Sequence, residues 1–249
     1  MRAGRLVPAF LKPPLRRLRD FFVGLTYRGT GRLCPVCETS SRKFAPFGEV
    51  PRRDALCVTC GALERHRLTW LFFRRKTDLF GRRAARMLHV APEPTIEAAL
   101  RSHLGEAYVT ADLHDPKAML RMDITDIRLP DESFDVIYCS HVLEHVPDDR
   151  KAMRELRRIL KGDGWAVFQV PVTEDATIED PSVTDPKERA RLFGQEDHVR
   201  RYGPDCADRL VDAGFRVTVT NPADFLSSEE IERMGITQAA GEIYYCTRA

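Results

Sequence analysis

Hydrophobic positions in the second two-thirds of the chain fall into short apolar runs separated by amphipathic stretches. Met87–Ala91, Ala107–Leu113, Leu120–Ile124, Phe134–Ser140 and Trp165–Val170 read as five strands. Thr95–Leu104, with Pro94 at its first position, and Asp148–Leu160 carry helical spacing between them. A long polar stretch, Pro171–Tyr202, breaks the rhythm. A helix over Pro204–Ala213 then leads to Phe215–Thr220, where Phe215, Val217 and Val219 alternate, and Glu242–Thr247 is the last strand. Seven strands, the first five alternating with helices, predict an α/β chain with a Rossmann-like, doubly wound sheet.

Upstream the pattern differs. Leu63–Leu79 predicts a helix with Leu68, Leu71 and Phe72 inward and the cationic run Arg74-Arg75-Lys76 at its C-terminal end. Leu15, Leu18, Phe21, Phe22 and Leu25 recur at helical spacing among Arg16, Arg17 and Arg19, predicting an amphipathic helix packed on the body. No apolar run approaches the ~18 residues of a membrane span, and the first residues lack a cleavable apolar block, so a cytoplasmic location is expected. The organisation expected over 249 residues is a basic tail (1–32), a small cysteine module (33–62) and an α/β domain (63–249) with a lid insertion (172–203).

Cys34, Cys37, Cys57 and Cys60 stand in the pattern C-x2-C-x19-C-x2-C. Two close pairs at this separation suit four thiolates around one tetrahedral zinc, and a fully thiolate-ligated ion is structural rather than catalytic. Pro35 stiffens the first knuckle, and Gly61 supplies a permissive backbone after the second pair. Disulfides fit poorly with a chain lacking a secretory signal, and a redox pair does not come doubled around a basic hairpin. Phe44, Phe47 and Val50 are expected to cap this zinc ribbon.

Charge is divided unevenly. Residues 1–86 carry 20 Lys and Arg against 6 Asp and Glu, although the whole chain is only +2. A front part this basic points to an anionic partner such as nucleic acid, a phosphorylated substrate or a membrane surface touched peripherally by the tail; equally, it fits a solvated face docked on the acidic remainder.

The run Ser133-Phe-Asp-Val-Ile-Tyr-Cys-Ser-His-Val-Leu-Glu-His-Val-Pro147 is followed by Met153-Arg-Glu-Leu-Arg-Arg-Ile-Leu-Lys-Gly-Asp-Gly-Trp165 and a strand ending in Val170-Pro171. With Asp197-His-Val-Arg-Arg-Tyr202 and Ala213-Gly-Phe215, this series resembles class I S-adenosylmethionine-dependent methyltransferases of the type 11 kind, over residues 87–249. The resemblance implies a sheet whose last strand is antiparallel, and S-adenosylmethionine as cofactor. It places Asp112 and Leu113 at the ribose, Asp123 and Ile124 at the adenine, and Ser140 and His141 beside the methyl group. The first loop, Leu88-His89-Val90-Ala91-Pro92-Glu93-Pro94, lacks the family's glycines. His89 stands at the family's acidic position, and Glu93 is the carboxylate left to face the ligand's positive charge.

His141-Val-Leu-Glu-His145 also matches H-x-x-E-H, an inverted zinc-protease motif. Pro147 would break the helix this motif needs, and no third ligand follows at helical spacing, so a turn is expected instead. In the polar stretch, Asp197 and His198 are the acid–base candidates, since transfer to oxygen or nitrogen can require removal of a proton; the alternative is a lid anchor. Arg200, Arg201 and Tyr202 are either contacts to an anionic substrate or exposed. The expected activity is methyl transfer to a small molecule or RNA. The alternative is a non-enzymatic binding module with a degenerate cofactor loop.

Overall fold

In a computed structural model of the chain, residues 25–48, 50–81 and 85–249 are described. The predicted amphipathic helix over 15–25 lies almost wholly outside them.

Four short strands form the cysteine module: β1 (Arg32–Leu33) pairs with β2 (Ser40–Ser41), and β3 (Ala45–Phe47) with β4 (Arg52–Leu56), both antiparallel. Helix α1 (Glu64–Lys76) follows. The main sheet then uses β5 (Met87–Val90), β6 (Tyr108–Asp112), β7 (Leu120–Arg121), β8 (Phe134–Ser140), β9 (Leu160–Gln169), β12 (Phe215–Thr220) and β13 (Ile243–Arg248). Its order is β12-β13-β9-β8-β5-β6-β7, with β13 antiparallel to both neighbours and the pairs from β9 to β7 parallel. The Rossmann-like sheet with an antiparallel last strand is therefore as expected.

Every residue of β8 is buried, as a parallel strand covered on both faces requires. On one face, α3 (Asp149–Ile159) and α5 (Cys206–Asp212) contribute Met153, Leu156, Ile159 and Leu210 to the larger core. On the other, α1 and α2 (Pro94–Leu104) contribute Leu68, Leu71, Phe72, Phe73, Ile96 and Leu100. Thus α1, which follows the cysteine module directly, is itself a layer of the α/β body.

Three differences from the sequence pattern stand out. The third strand stops at Arg121 because Asp123 Oδ1 accepts from the Thr125 N–H at 2.8 Å and its hydroxyl at 2.7 Å, folding the chain into a turn. The polar stretch 171–202 contains β10 (Ile178–Glu179), α4 (Pro186–Phe193) and β11 (Arg200–Arg201), with β10 and β11 paired antiparallel. A short helix α6 (Ser228–Arg233) escaped the apolar pattern, although Ser227 and Glu230 form the reciprocal capping box that marks a helix start.

Candidate functional site: a cysteine cluster and a cleft at the sheet edge

The two C-x-x-C knuckles are equivalent. The Cys34 N–H donates to Thr39 O at 3.0 Å and the Cys57 N–H to Ala62 O at 2.9 Å. Gly61 takes φ = 80°, the left-handed region expected for it. The four sulfurs meet: Cys34 and Cys60 Sγ are 3.7 Å apart, Cys37 and Cys57 Sγ 3.8 Å, and all four lie within 4.8 Å of one another. Disulfide bonding is excluded at these distances. Tetrahedral ligation with Zn–S bonds of ~2.3 Å separates sulfurs by about 3.8 Å, so the cage has the size of that ion. Of the expected caps only Phe44 is buried; Phe47 and Val50 are exposed, so the module's core consists of Phe44, Ala62 and the buried Cys34 and Cys57.

Arg67 of α1 joins this module to the body. Fully buried, it donates to the carbonyls of Ala55, Ala62, Met234 and Gly235 at 2.7–2.8 Å, and its guanidinium lies 4.2 Å over the Phe44 ring. One side chain thus satisfies carbonyls of β4, the second knuckle and the segment after α6.

A cleft of about 830 Å³ opens at the carboxyl ends of β5, β6 and β8, the place where doubly wound sheets bind ligands. Asp112, Leu113, Asp123, Ile124, His141 and Asp197 all line it. Asp112 Oδ1 accepts from the N–H groups of His114 and Asp115 at 2.6 and 2.7 Å, which fixes the carboxylate at the cleft wall. The Thr125 bonds hold the Asp123 carboxyl below its ordinary range. Ala91 and His141, both at the rim, adopt φ of 48° and 54°. Ala91 therefore takes a left-handed conformation that glycine usually supplies.

Three other expected cofactor residues lie elsewhere. His89 is buried within the sheet, its Nδ1 2.6 Å from the Tyr108 hydroxyl and its ring 4.6 Å from that of Tyr138; burial lowers its pKa to about 3. Ser140 is buried, its hydroxyl 3.5 Å from Gln169 Oε1. Glu93 turns toward α1: it pairs with Arg65, and His66 Nε2 is 2.7 Å from its Oε2. Burial opposes its charge, but bonds from His66 and Arg65 prevail and bring its pKa to about 2. Ion pairing satisfies that carboxylate within the protein, which sequence spacing had no means to reveal.

Arg200 is buried and donates to the carbonyls of Leu143, Val146 and Pro147 at 2.5–2.8 Å and to Glu179 at 2.9 Å. Tyr202 is buried too, its hydroxyl donating to Asp149 at 2.6 Å, and Arg201 pairs with Glu174. The 143–147 turn, a 3-10 helix over Leu143–His145, is thereby strapped to the polar stretch. This brings Asp197 and His198 against Glu144 and His145: His145 Nδ1 is 3.2 Å from Asp197 Oδ2, and the His145 and His198 rings meet edge-on at 4.6 Å. Glu144, which the sequence pattern suggests as a solvent-facing or cap partner, is instead 1% exposed, enclosed by these packed residues.

Residues 75–168 match the family described as "Methyltransferase domain". The chain is 35% identical over 71 residues to the uncharacterized methyltransferase YcgJ of Bacillus subtilis, covering 28% of this chain and 26% of that protein. It is 31% identical over 106 residues to the uncharacterized protein MJ0638 of Methanocaldococcus jannaschii, covering 43% and 41%. The chain thus spans well under half the length of these curated relatives. Among solved structures, an S-adenosylmethionine-dependent methyltransferase from Mesorhizobium loti superposes with a TM-score of 0.50 at 17% identity, covering 73% of this chain and 98% of that one. The chain has the fold and the domain of an S-adenosylmethionine-dependent methyltransferase. Among the described residues, no helix is long and apolar enough to cross a membrane.

Proposed function

We propose that this chain transfers a methyl group from S-adenosylmethionine to an oxygen or nitrogen of a small molecule or RNA. The observation that carries the reading is the cleft at the strand ends, walled by Asp112 and Asp123 within the matched methyltransferase region. The fit is chemical: a volume of about 830 Å³ lies in the range of small-ligand sites, and the two carboxylates are acceptors suited to a ribose diol and an adenine amine. Bound S-adenosylmethionine supplies an electrophilic methyl on sulfur. The protein's part is orientation and exclusion of water. Asp112 and Asp123 are held by their turn bonds before any ligand arrives, Ile124 offers an apolar wall, and His141 lines the cleft. Of the two acid–base candidates in the 172–203 stretch, Asp197 lines the cleft and is the one this reading assigns to receive an acceptor's proton, whereas His198 is buried beside it with Nδ1 on Phe193 O.

We further assign the 33–62 module as a zinc ribbon holding one structural ion on Cys34, Cys37, Cys57 and Cys60, supported by the sulfur spacing. The binding-module alternative is favoured by one observation: Glu93, the carboxylate expected at the ligand, is paired with Arg65 and His66. Calorimetry with S-adenosylmethionine decides between the two. Micromolar to sub-millimolar binding, weakened about 10- to 150-fold by Asp112→Ala, supports the enzyme. No binding at millimolar ligand selects the module.

A further inference from the structure

We propose that Glu144, His145 and His198 form a second metal site, for a first-row divalent cation, whose open coordination positions face the cleft. Each residue offers a ligand atom, and these atoms lie within 4.8 Å of one another. The arrangement is non-local. Glu144 and His145 sit on the 143–145 turn, and His198 arrives from the lid, held there by the Val199 N–H donating to Glu144 O at 2.9 Å and by the Arg200 strap.

Three features point to a ligand rather than to packing. First, Glu144 is 1% exposed and its Oε2 has no hydrogen-bond partner. A buried carboxylate oxygen without a donor is strongly unfavourable, and a cation is the partner that relieves it. Second, both imidazoles are oriented through the nitrogen that would not ligate. His198 Nδ1 is 3.0 Å from Phe193 O, and His145 Nδ1 is 3.2 Å from Asp197 Oδ2. Imidazoles that bind metal usually donate the other N–H to a carbonyl or carboxylate, which leaves Nε2 as the ligand. Third, the remaining Glu144 oxygen, Oε1, is 3.3 Å from His141 Nδ1, and His141, His145 and Asp197 all line the cleft. The site therefore borders the cleft proposed above for the methyl donor.

Two imidazoles and one carboxylate suit manganese, iron, cobalt or zinc and leave positions open for water or substrate. This is not the zinc-protease geometry of H-x-x-E-H, because Leu143–His145 is a single 3-10 turn and Glu144 serves as a ligand in place of His141. The occupant of the open positions would be an acceptor oxygen, a hydroxyl or carbonyl; that clause rests on the methyl-transfer reading, whereas ion binding does not.

Manganese(II) tests the site in the full-length protein, because this hard ion avoids the thiolate cage and its retained water is read by proton relaxation. One ion per chain is expected. Glu144→Gln and His198→Ala should each weaken binding more than tenfold, and Asp197→Asn, which loses only the orienting carboxylate, by up to about tenfold. Thermal melting of each variant establishes that it is folded. No relaxation enhancement by the wild-type protein at millimolar manganese, or unchanged affinity in folded Glu144→Gln and His198→Ala, overturns the proposal. Calorimetry with S-adenosylmethionine on the same samples is a separate readout, so either reading can fail while the other stands.

Discussion

The four-cysteine cage and the Glu144–His145–His198 cluster bring metal-ligating atoms to within the same 4.8 Å, but they are assembled by different physics. The cage is local. Two tight knuckles with matching backbone bonds each set a pair of sulfurs, and a hairpin's length of chain joins them. Little hydrophobic core surrounds it, so on the zinc-ribbon reading proposed above folding and ion binding there are one event. The second cluster is tertiary. Its residues are separated by an entire helix, a strand and most of the polar stretch, and they meet because the bonds of buried Arg200 tie that stretch to the turn. A local cage needs its ion to exist; a tertiary cluster is pre-formed by the fold and loses only the ion.

That contrast is broken or upheld first by metal removal. Purified protein should contain about one zinc per chain, and chelation should unfold the 33–62 module while the sheet persists. Binding energies for zinc in small modules are about 10–16 kcal/mol, far more than so small a core supplies. Hydrogen exchange with metal analysis measures both parts. Protection lost equally in module and sheet, or a metal-free module with full protection, would remove the distinction.

The two arginine joints sharpen it next. Arg67→Met leaves the carbonyls of Ala55, Ala62, Met234 and Gly235 without their donor. At ~1–3 kcal/mol for each buried group left unsatisfied, the loss should be at least ~3 kcal/mol in urea denaturation. Arg200→Met should cost less stability, since its partners lie on a partly exposed turn, but it should weaken manganese binding. The expected pattern is a crossed one: Arg67→Met destabilises the module and spares manganese affinity, and Arg200→Met does the reverse. A common effect of both on both readouts would mean that the joints are not separate.

The same division explains what could be read from the sequence. The cage was legible because its ligands are fixed by spacing alone, and the sheet because strand and helix periods are local. Asp112, Asp123 and His141 were placed at the cleft by their positions just after strands, which topology converts directly into location. His89 and Glu93 were read by the same rule, but side-chain partners decide their surroundings: Tyr108 and Tyr138 enclose the first, and Arg65 and His66 take the second. Neither set of partners is near in sequence. His198 was singled out as an acid–base candidate, but its meeting with Glu144 depends on Arg200, which one-dimensional reading left as either a substrate contact or an exposed residue.

The smallest expected effect separates a lone buried histidine from a clustered one. His89 and His198 are both buried and both have lowered pKa values, with burial as the leading cause in each. His198 has ligand-bearing neighbours in reach, whereas His89 faces tyrosine rings. His89 therefore titrates as a stability group: its pKa is about 3 in the folded chain against an ordinary 6.5, so the unfolded state binds more protons between those values. Its neutral burial contributes no penalty above pH 6.5, and stability falls as the pH drops from there toward 3. At about 1.4 kcal/mol per pH unit, the wild type should lose roughly 2 kcal/mol from this group between pH 6.5 and 5. His89→Phe should flatten that limb in urea denaturation across the pH range, with or without added manganese, while lowering stability at pH 7 by the lost Tyr108 contact. For His198 the acid limb should instead shift with manganese, since an ion competes with the proton for the same ring. If manganese moves the His89 limb, or an unchanged acid limb remains in His89→Phe, the lone histidine does not behave as its surroundings require.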